Sequence, residues 1–230
     1  MSEFRFKQFA VEQGDVAMKV GTDGVLLGAW CATEGVNRIL DIGTGTGVIA
    51  LMMAQRSAAT KIVGIDIDSG AATRAAQNFS LSPWSLRLEA QCCAAQDFTS
   101  EKFDLIVSNP PYFTDSLLCP DARRTTARHT TDLTFKELDA AVCRLLSPQG
   151  RFALILPTEQ MEAYLEGSAL NVVRRCAVRS TPTGAVKRVM AELAFSEQMV
   201  CEQSLSIYTA TPPEYSAEYR EVTKDFYLKF

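Results

Sequence analysis

Histidine is almost missing from this chain: His129 stands alone among 230 residues, and no Cys-x-x-Cys pair accompanies it. A structural zinc site takes four sulfur or imidazole ligands, so it has almost nothing to draw on, and no metal is expected. Long apolar runs are missing too. No segment is long enough to span a bilayer, and the opening Met1-Ser2-Glu3-Phe4-Arg5-Phe6-Lys7 lacks the apolar core of a signal peptide, so a cytoplasmic protein is expected. The seven cysteines are odd in number and scattered, and Cys92 and Cys93 are neighbours poorly placed to bond to one another. They read as reduced thiols. An excess of positive charge is also lacking, and the net charge of −4 argues against indiscriminate coating of nucleic acid.

What is present is the composition of an ordinary globular protein, 47% hydrophobic and 22% charged. Strand-like and helix-like runs alternate along it. Arg38 to Ile42, Lys61 to Ile65, a weaker stretch around Leu86 to Gln91, Phe103 to Val107 and Arg151 to Leu156 read as strands. Val48 to Ala54, the capped segment Asp68 to Phe79, and Leu133 to Leu146, stopped by Ser147-Pro148-Gln149-Gly150, read as helices. Val172 to Val178 and Val189 to Phe195 read as a final hairpin around Thr181-Pro182-Thr183-Gly184. The pattern predicts a single α/β domain over residues 1–230: a Rossmann-like, mainly parallel, doubly wound sheet with a C-terminal antiparallel hairpin. The tail from Tyr215 to Phe230 reads as an amphipathic helix docked on the domain, within an extension over residues 200–230. In such a sheet ligands bind at the carboxyl ends of the strands.

Two strand ends carry chemistry that a strand does not need. Asp41-Ile42-Gly43-Thr44-Gly45-Thr46-Gly47 links a strand to a helix, where glycines let backbone approach a ligand at the helix amino end. Its spacing is not that of a dinucleotide loop, whose third glycine would fall at Val48. A carboxylate at the strand end would repel a pyrophosphate but suits a cationic ligand such as a sulfonium with an amino-acid tail, which describes S-adenosylmethionine. Asp66, closing the next strand, can accept both ribose hydroxyls. Asn109-Pro110-Pro111-Tyr112 closes another. Its prolines remove two backbone donors and leave carbonyls unpaired, Asn109 adds an acceptor, and Tyr112 adds a flat face, a combination that suits a planar group bearing an NH₂. Alone, the tetrapeptide serves equally well as a proline-terminated strand and loop.

Taken together, Asp41-x-Gly43-x-Gly45-x-Gly47, Asp66 and Asn109-Pro110-Pro111-Tyr112 resemble the class I, Rossmann-like methyltransferases that modify exocyclic or amide nitrogens. Lys19-Val20-Gly21-Thr22-Asp23-Gly24-Val25-Leu26-Leu27-Gly28-Ala29-Trp30, with Lys7-Gln8-Phe9 before it and Ser82-Pro83-Trp84 and Ala127-Arg128 after it, is similar to the bacterial adenine-N6 methyltransferases of valine tRNA. The similarity runs from about Phe4 to about Phe195. It implies that Lys19, Thr22 and Gly24 border the carboxylate end of the cofactor within an amino-terminal lid of residues 1–35. It further implies that Asp41, Gly43 and Gly45 hold the methionine part, that Asp66 takes the ribose, and that Thr44, Gly47, Ile67, Cys93 and Ala94 also belong to the cofactor site. Many relatives carry an acid where Ala94 stands, so adenine recognition falls to backbone groups near Cys93 and Ala94, or to Asp97 if the alignment slips.

The same resemblance implies that Asn109 and the Pro110 carbonyl clamp the target amine, with Asn109 also bordering the cofactor, and that Tyr112 and Phe113 stack on the base. The expected partner is the anticodon stem-loop of a tRNA, and the expected state is a monomer. Between Glu166 and Glu192 the chain has no acid but holds Arg174, Arg175, Arg179, Lys187 and Arg188. With Arg123, Arg124 and Arg128 after the proline motif, these suit either a polyanionic substrate or a solvated surface; Lys187, Arg188 and the three loop arginines are the candidate RNA contacts. His129 in that loop reads as an RNA or structural contact rather than a general base. Two rivals remain: methylation of a release-factor glutamine, or of an amine in rRNA or DNA, with the same tetrapeptide, and a non-catalytic RNA-binding module, which would need neither motif.

Overall fold

Strands that are apolar on both faces need cover on both sides, and the chain supplies it by alternating them with helices. The computed structural model describes residues 3–14, 19–110 and 133–229. A short antiparallel pair, β1 (Glu3–Arg5) and β2 (Ala10–Glu12), leads into α1 (Thr22–Trp30). Then come β3 (Arg38–Ile42), α2 (Val48–Arg56), β4 (Lys61–Asp66), α3 (Ser69–Ser80), β5 (Leu88–Cys92) and β6 (Phe103–Ser108). The last third holds α4 (Phe135–Leu145), β7 (Leu146–Pro157), α5 (Thr158–Gly167), β8 (Asn171–Arg179), β9 (Val186–Ala194), β10 (Cys201–Ser206) and α6 (Ala217–Thr223).

Eight strands form one sheet in the order β10-β8-β9-β7-β6-β3-β4-β5, parallel except for β9, which runs antiparallel to both β7 and β8. Neighbouring residues on a strand face opposite layers: Ile39, Leu105 and Ala153 join a core with α1, α2 and α3, while Leu40, Ile106 and Leu154 join one with α4 and α5. Caps set the helix starts. Asp68 accepts from the Ala71 N–H at 2.9 Å, and Thr134 and Glu137 form a reciprocal capping box at α4. The strand order reverses between β3 and β6, so the crevice of a doubly wound sheet opens there, at the ends of β3, β4 and β6.

Several expectations shift. Ser147–Gly150 lie inside β7 rather than between helix and strand, because Leu146 pairs with Phe103 before the register skips to Leu105 and Arg151. The weak strand starts at Leu88, since Ser85–Arg87 form a 3₁₀ turn. The hairpin β8–β9 is not final: β10 adds a parallel strand outside β8, and its mostly exposed run Cys201-Glu202-Gln203-Ser204 offers no apolar alternation to announce it. The tail docks through buried Tyr219 and Phe226, while the Phe226 carbonyl accepts from the Lys7 N–H at 2.8 Å. The helix α1 is a core element, with Val25, Leu26 and Leu27 fully buried. No helix among the described residues is long and apolar enough to cross a membrane.

Candidate active site

The glycine loop turns where L side chains do not fit: Gly43, Gly45 and Gly47 have φ of 73°, 56° and 82°. A Cβ on Gly47 would lie 2.4 Å from the Phe79 ring, so glycine is required there by strain and by contact. Asp68 and Gly45 grip the ribose candidate from two sides. The Gly45 N–H donates to Asp66 Oδ2 at 2.8 Å and the Asp68 N–H to Oδ1 at 2.9 Å, which fixes that carboxylate at the end of β4. Asp41 lies beneath the loop, fully buried. Its Oδ2 accepts from Thr44 Oγ1 at 2.7 Å and from the Ala50 N–H at 3.2 Å, while Oδ1 has no hydrogen-bond partner. Burial pushes its carboxyl up to about 7, against the two hydrogen bonds.

At the end of β6, Ser108 Oγ donates to the Ile42 carbonyl at 2.9 Å and ties the acceptor strand to β3. The next residue is Asn109, half-buried, whose Oδ1 is sealed from water without a partner. An orphaned buried amide oxygen costs about 1–3 kcal/mol, which an arriving N–H would recover. A cavity of about 610 Å³ joins the glycine loop, Asp66 and Asn109, a volume that suits a nucleoside-sized ligand.

Lys19, Gly24, Gly43, Thr44, Gly45, Asp66, Ile67, Cys93, Ala94, Asn109 and Pro110 all line this cavity, so the structure brings together most of the residues picked from sequence. Three cofactor candidates stand elsewhere. Thr22 faces a second, smaller cavity, Asp41 is covered by its own loop, and Gly47 serves the turn. Ala94 lies two residues past the end of β5: its carbonyl accepts from the Asp97 and Phe98 N–H groups, and Asp97 does not line the cavity. The half-exposed Ile67 supplies the apolar surface beside it. Pro111, Tyr112, Phe113, Arg123, Arg124, Arg128 and His129 lie outside the described residues. Lys187 is exposed, and Arg188 donates to Asp23 at 2.8 Å rather than standing free.

Sequence reasoning missed Arg74, Gln96 and Ser108 in the cavity wall. It also missed Asn78, buried, whose amide donates to the Thr46 carbonyl at 2.8 Å and to Glu12, hooking β2 to the glycine loop. An Asn within the last turn of an Ala-rich helix was the available signal.

The model of the methyltransferase small domain matches residues 20–161. A curated tRNA1(Val) (adenine(37)-N6)-methyltransferase of Bacteroides fragilis is 45% identical over 98% of both chains. Its counterpart from Aeromonas salmonicida is 44% identical over 99% of this chain and 98% of its own. This chain belongs to that methyltransferase family. Members of it use S-adenosylmethionine, and the cavity fits that group: a held carboxylate for a diol, a glycine loop open to close approach, and a buried unpaired oxygen at Asn109. Solved structures share the methyltransferase fold at low identity. A protein of Agrobacterium tumefaciens described as a predicted O-methyltransferase superposes with TM-score 0.71 at 15% identity, covering 89% of this chain and 96% of its own. A ribosomal protein L11 methylase of Lactobacillus delbrueckii follows with TM-score 0.57 at 17% identity, over 81% and 84%.

Proposed function

We propose that this methyltransferase acts on the exocyclic N6 amine of an adenine in the anticodon loop of tRNA, the valine tRNA of its relatives' names. The observation that carries the reading is the unpaired Oδ1 of Asn109, buried at the end of β6 on the wall of the cavity that Asp66 and the glycine loop also line. An adenine amine shares its lone pair with the ring and is a weak nucleophile, so orientation matters more than a strong base. Asn109 Oδ1 and the Pro110 carbonyl each accept one amine hydrogen and turn the lone pair toward the reacting centre. Tyr112 stacks on the base, which an anticodon loop presents unpaired at low cost. When bound, S-adenosylmethionine would supply an electrophilic methyl on a sulfonium, with a neutral thioether as the leaving group. The extra amine proton passes to water.

Asp66 orients the cofactor through its ribose, Lys19 offers an ammonium to its carboxylate, and Ile67 and Cys93 flank its adenine in this reading. The segment 1–35 serves as the wall that closes over the cofactor, and residues 200–230 brace that segment. The protein acts as a cytoplasmic monomer. Incubating it with labelled cofactor and unmodified tRNA, followed by nucleoside mass spectrometry, tests the whole assignment: N6-methyladenosine supports it, and label in protein transfers the chemistry to glutamine.

A further inference from the structure

The second cavity shares no lining residue with the first and is built largely from aromatic side chains. It holds about 220 Å³ and is lined by Thr22, Tyr208, Tyr215, Tyr219, Tyr227 and Lys229 among others. Tyr208 stacks on Tyr215 with centroids 5.3 Å apart and planes at 21°, and Tyr215 on Tyr219 at 5.0 Å and 17°. The hydroxyls of Tyr219 and Tyr227 lie 3.2 Å apart. Burial raises both phenols above their ordinary range, so they keep their protons at neutral pH. Tyr219 is sealed in the core, but Tyr208, Tyr215 and Tyr227 remain partly open. A ladder of parallel rings with hydroxyls and an ammonium at its edge matches a flat, polar ring on an anionic chain, the description of a nucleotide.

Position points the same way. The strands β6, β7, β8 and β10 run parallel, so Tyr208, just after β10, emerges on the same edge of the sheet as Asn109, just after β6. The two cavities meet along the chain, since Gly21 lines the first and Thr22 the second. A cation stands at each: Lys19 lines the first cavity and Lys229 the second.

We propose that the tyrosine-lined cavity is a second nucleobase site, which takes an unpaired base from the same RNA loop that delivers its target adenine to the main cavity. This rests on the RNA reading of the activity, because a protein substrate carries no such base.

The test is a coupling measurement. Binding of the unmodified anticodon stem-loop is measured for the wild-type protein, Tyr208→Leu and Tyr208→Phe, with an abasic nucleotide placed at each non-target loop position in turn. At one position, loss of the base should weaken wild-type binding about tenfold, the scale of one stacked base, and leave Tyr208→Leu unaffected. Tyr208→Phe, which keeps the ring, should behave as wild type. Affinity for S-adenosylmethionine should be equal in all three, which reports an intact fold. If the stem-loop binds and is methylated but no loop position couples to Tyr208, the second site is wrong while the activity stands. If the stem-loop neither binds nor is methylated, both fail.

Discussion

The two halves of the sheet treat charge in opposite ways. Around β3, β4 and β6 polar groups keep unspent capacity: Asp66, held by backbone N–H groups, and Asn109, with a buried unpaired oxygen, line the cavity, and Asp41 keeps an unpaired oxygen beneath the glycine loop. Around β8 and β9 three of the five cations are paired within the protein. Arg174 lies 4.1 Å over the Trp30 ring and pairs with Glu192, which also accepts from the Ala32 N–H. Arg175 pairs with Glu162 and Arg188 with Asp23. The acid-free interval is thus not acid-free in space, because acids from α1, α5 and β9 fold against it. Unspent polarity marks the strand ends of the reacting half, and three ion pairs brace the other.

That contrast is open to attack. The largest effect expected is Asn109→Ala: transfer should fall by two orders of magnitude or more, on the scale of losing a positioned polar group, while calorimetry shows cofactor affinity nearly intact. Retention of most activity would remove the distinction between the halves. Glu192→Ala should act on stability, costing about 3 kcal/mol in urea unfolding, because Arg174 and the Ala32 N–H lose their buried partner. Turnover per folded molecule should be unchanged.

Gly47→Ala should cost about 1–3 kcal/mol by the same measurement, from a strained φ and a clash with Phe79, even though residue 47 does not line the cavity. Asp41 gives the comparison a pH signature. Its folded carboxyl sits near 7 against an ordinary 3.8, so the folded state holds this proton more tightly than the unfolded chain. Its contribution to stability is full below about 4 and is lost as pH rises through about 7. The melting temperature of the cofactor-free protein should therefore decline over that interval, and Asp41→Asn should flatten the decline. The smallest effect is expected for Lys187→Ala, an exposed cation: RNA affinity should drop a few-fold at low salt, with the slope of log affinity against log salt reduced by about one.

Local patterns were the legible ones. The strand and helix that bracket the glycine loop, the Asp68 cap and the hairpin β8–β9 all follow from periodicity and turn residues within a few positions of each other. The cavity residues at strand ends followed as well, because a parallel sheet sends every carboxyl end to one edge. What was hidden depends on distant partners. Strand β10 is exposed along most of its length and shows no alternation, so only its pairing with β8 makes it a strand. Thr22 shares a motif with Gly21 and Gly24, yet α1 turns its side chain to the other cavity. Asn78 could not be tied to the glycine loop without knowing that α3 packs beside it.

By itself the sequence determined the alternating architecture, the glycine turn and the acceptor set at the ends of β4 and β6, because these arise from short-range conformational preference and from residue type. Only the tertiary structure decided which polar atoms stay unpaired. Whether Arg188 reaches outward or settles on Asp23, and whether Asn109 Oδ1 finds a partner, depends on which side chains folding brings within hydrogen-bond reach, and contacts across 165 residues are not written in local spacing.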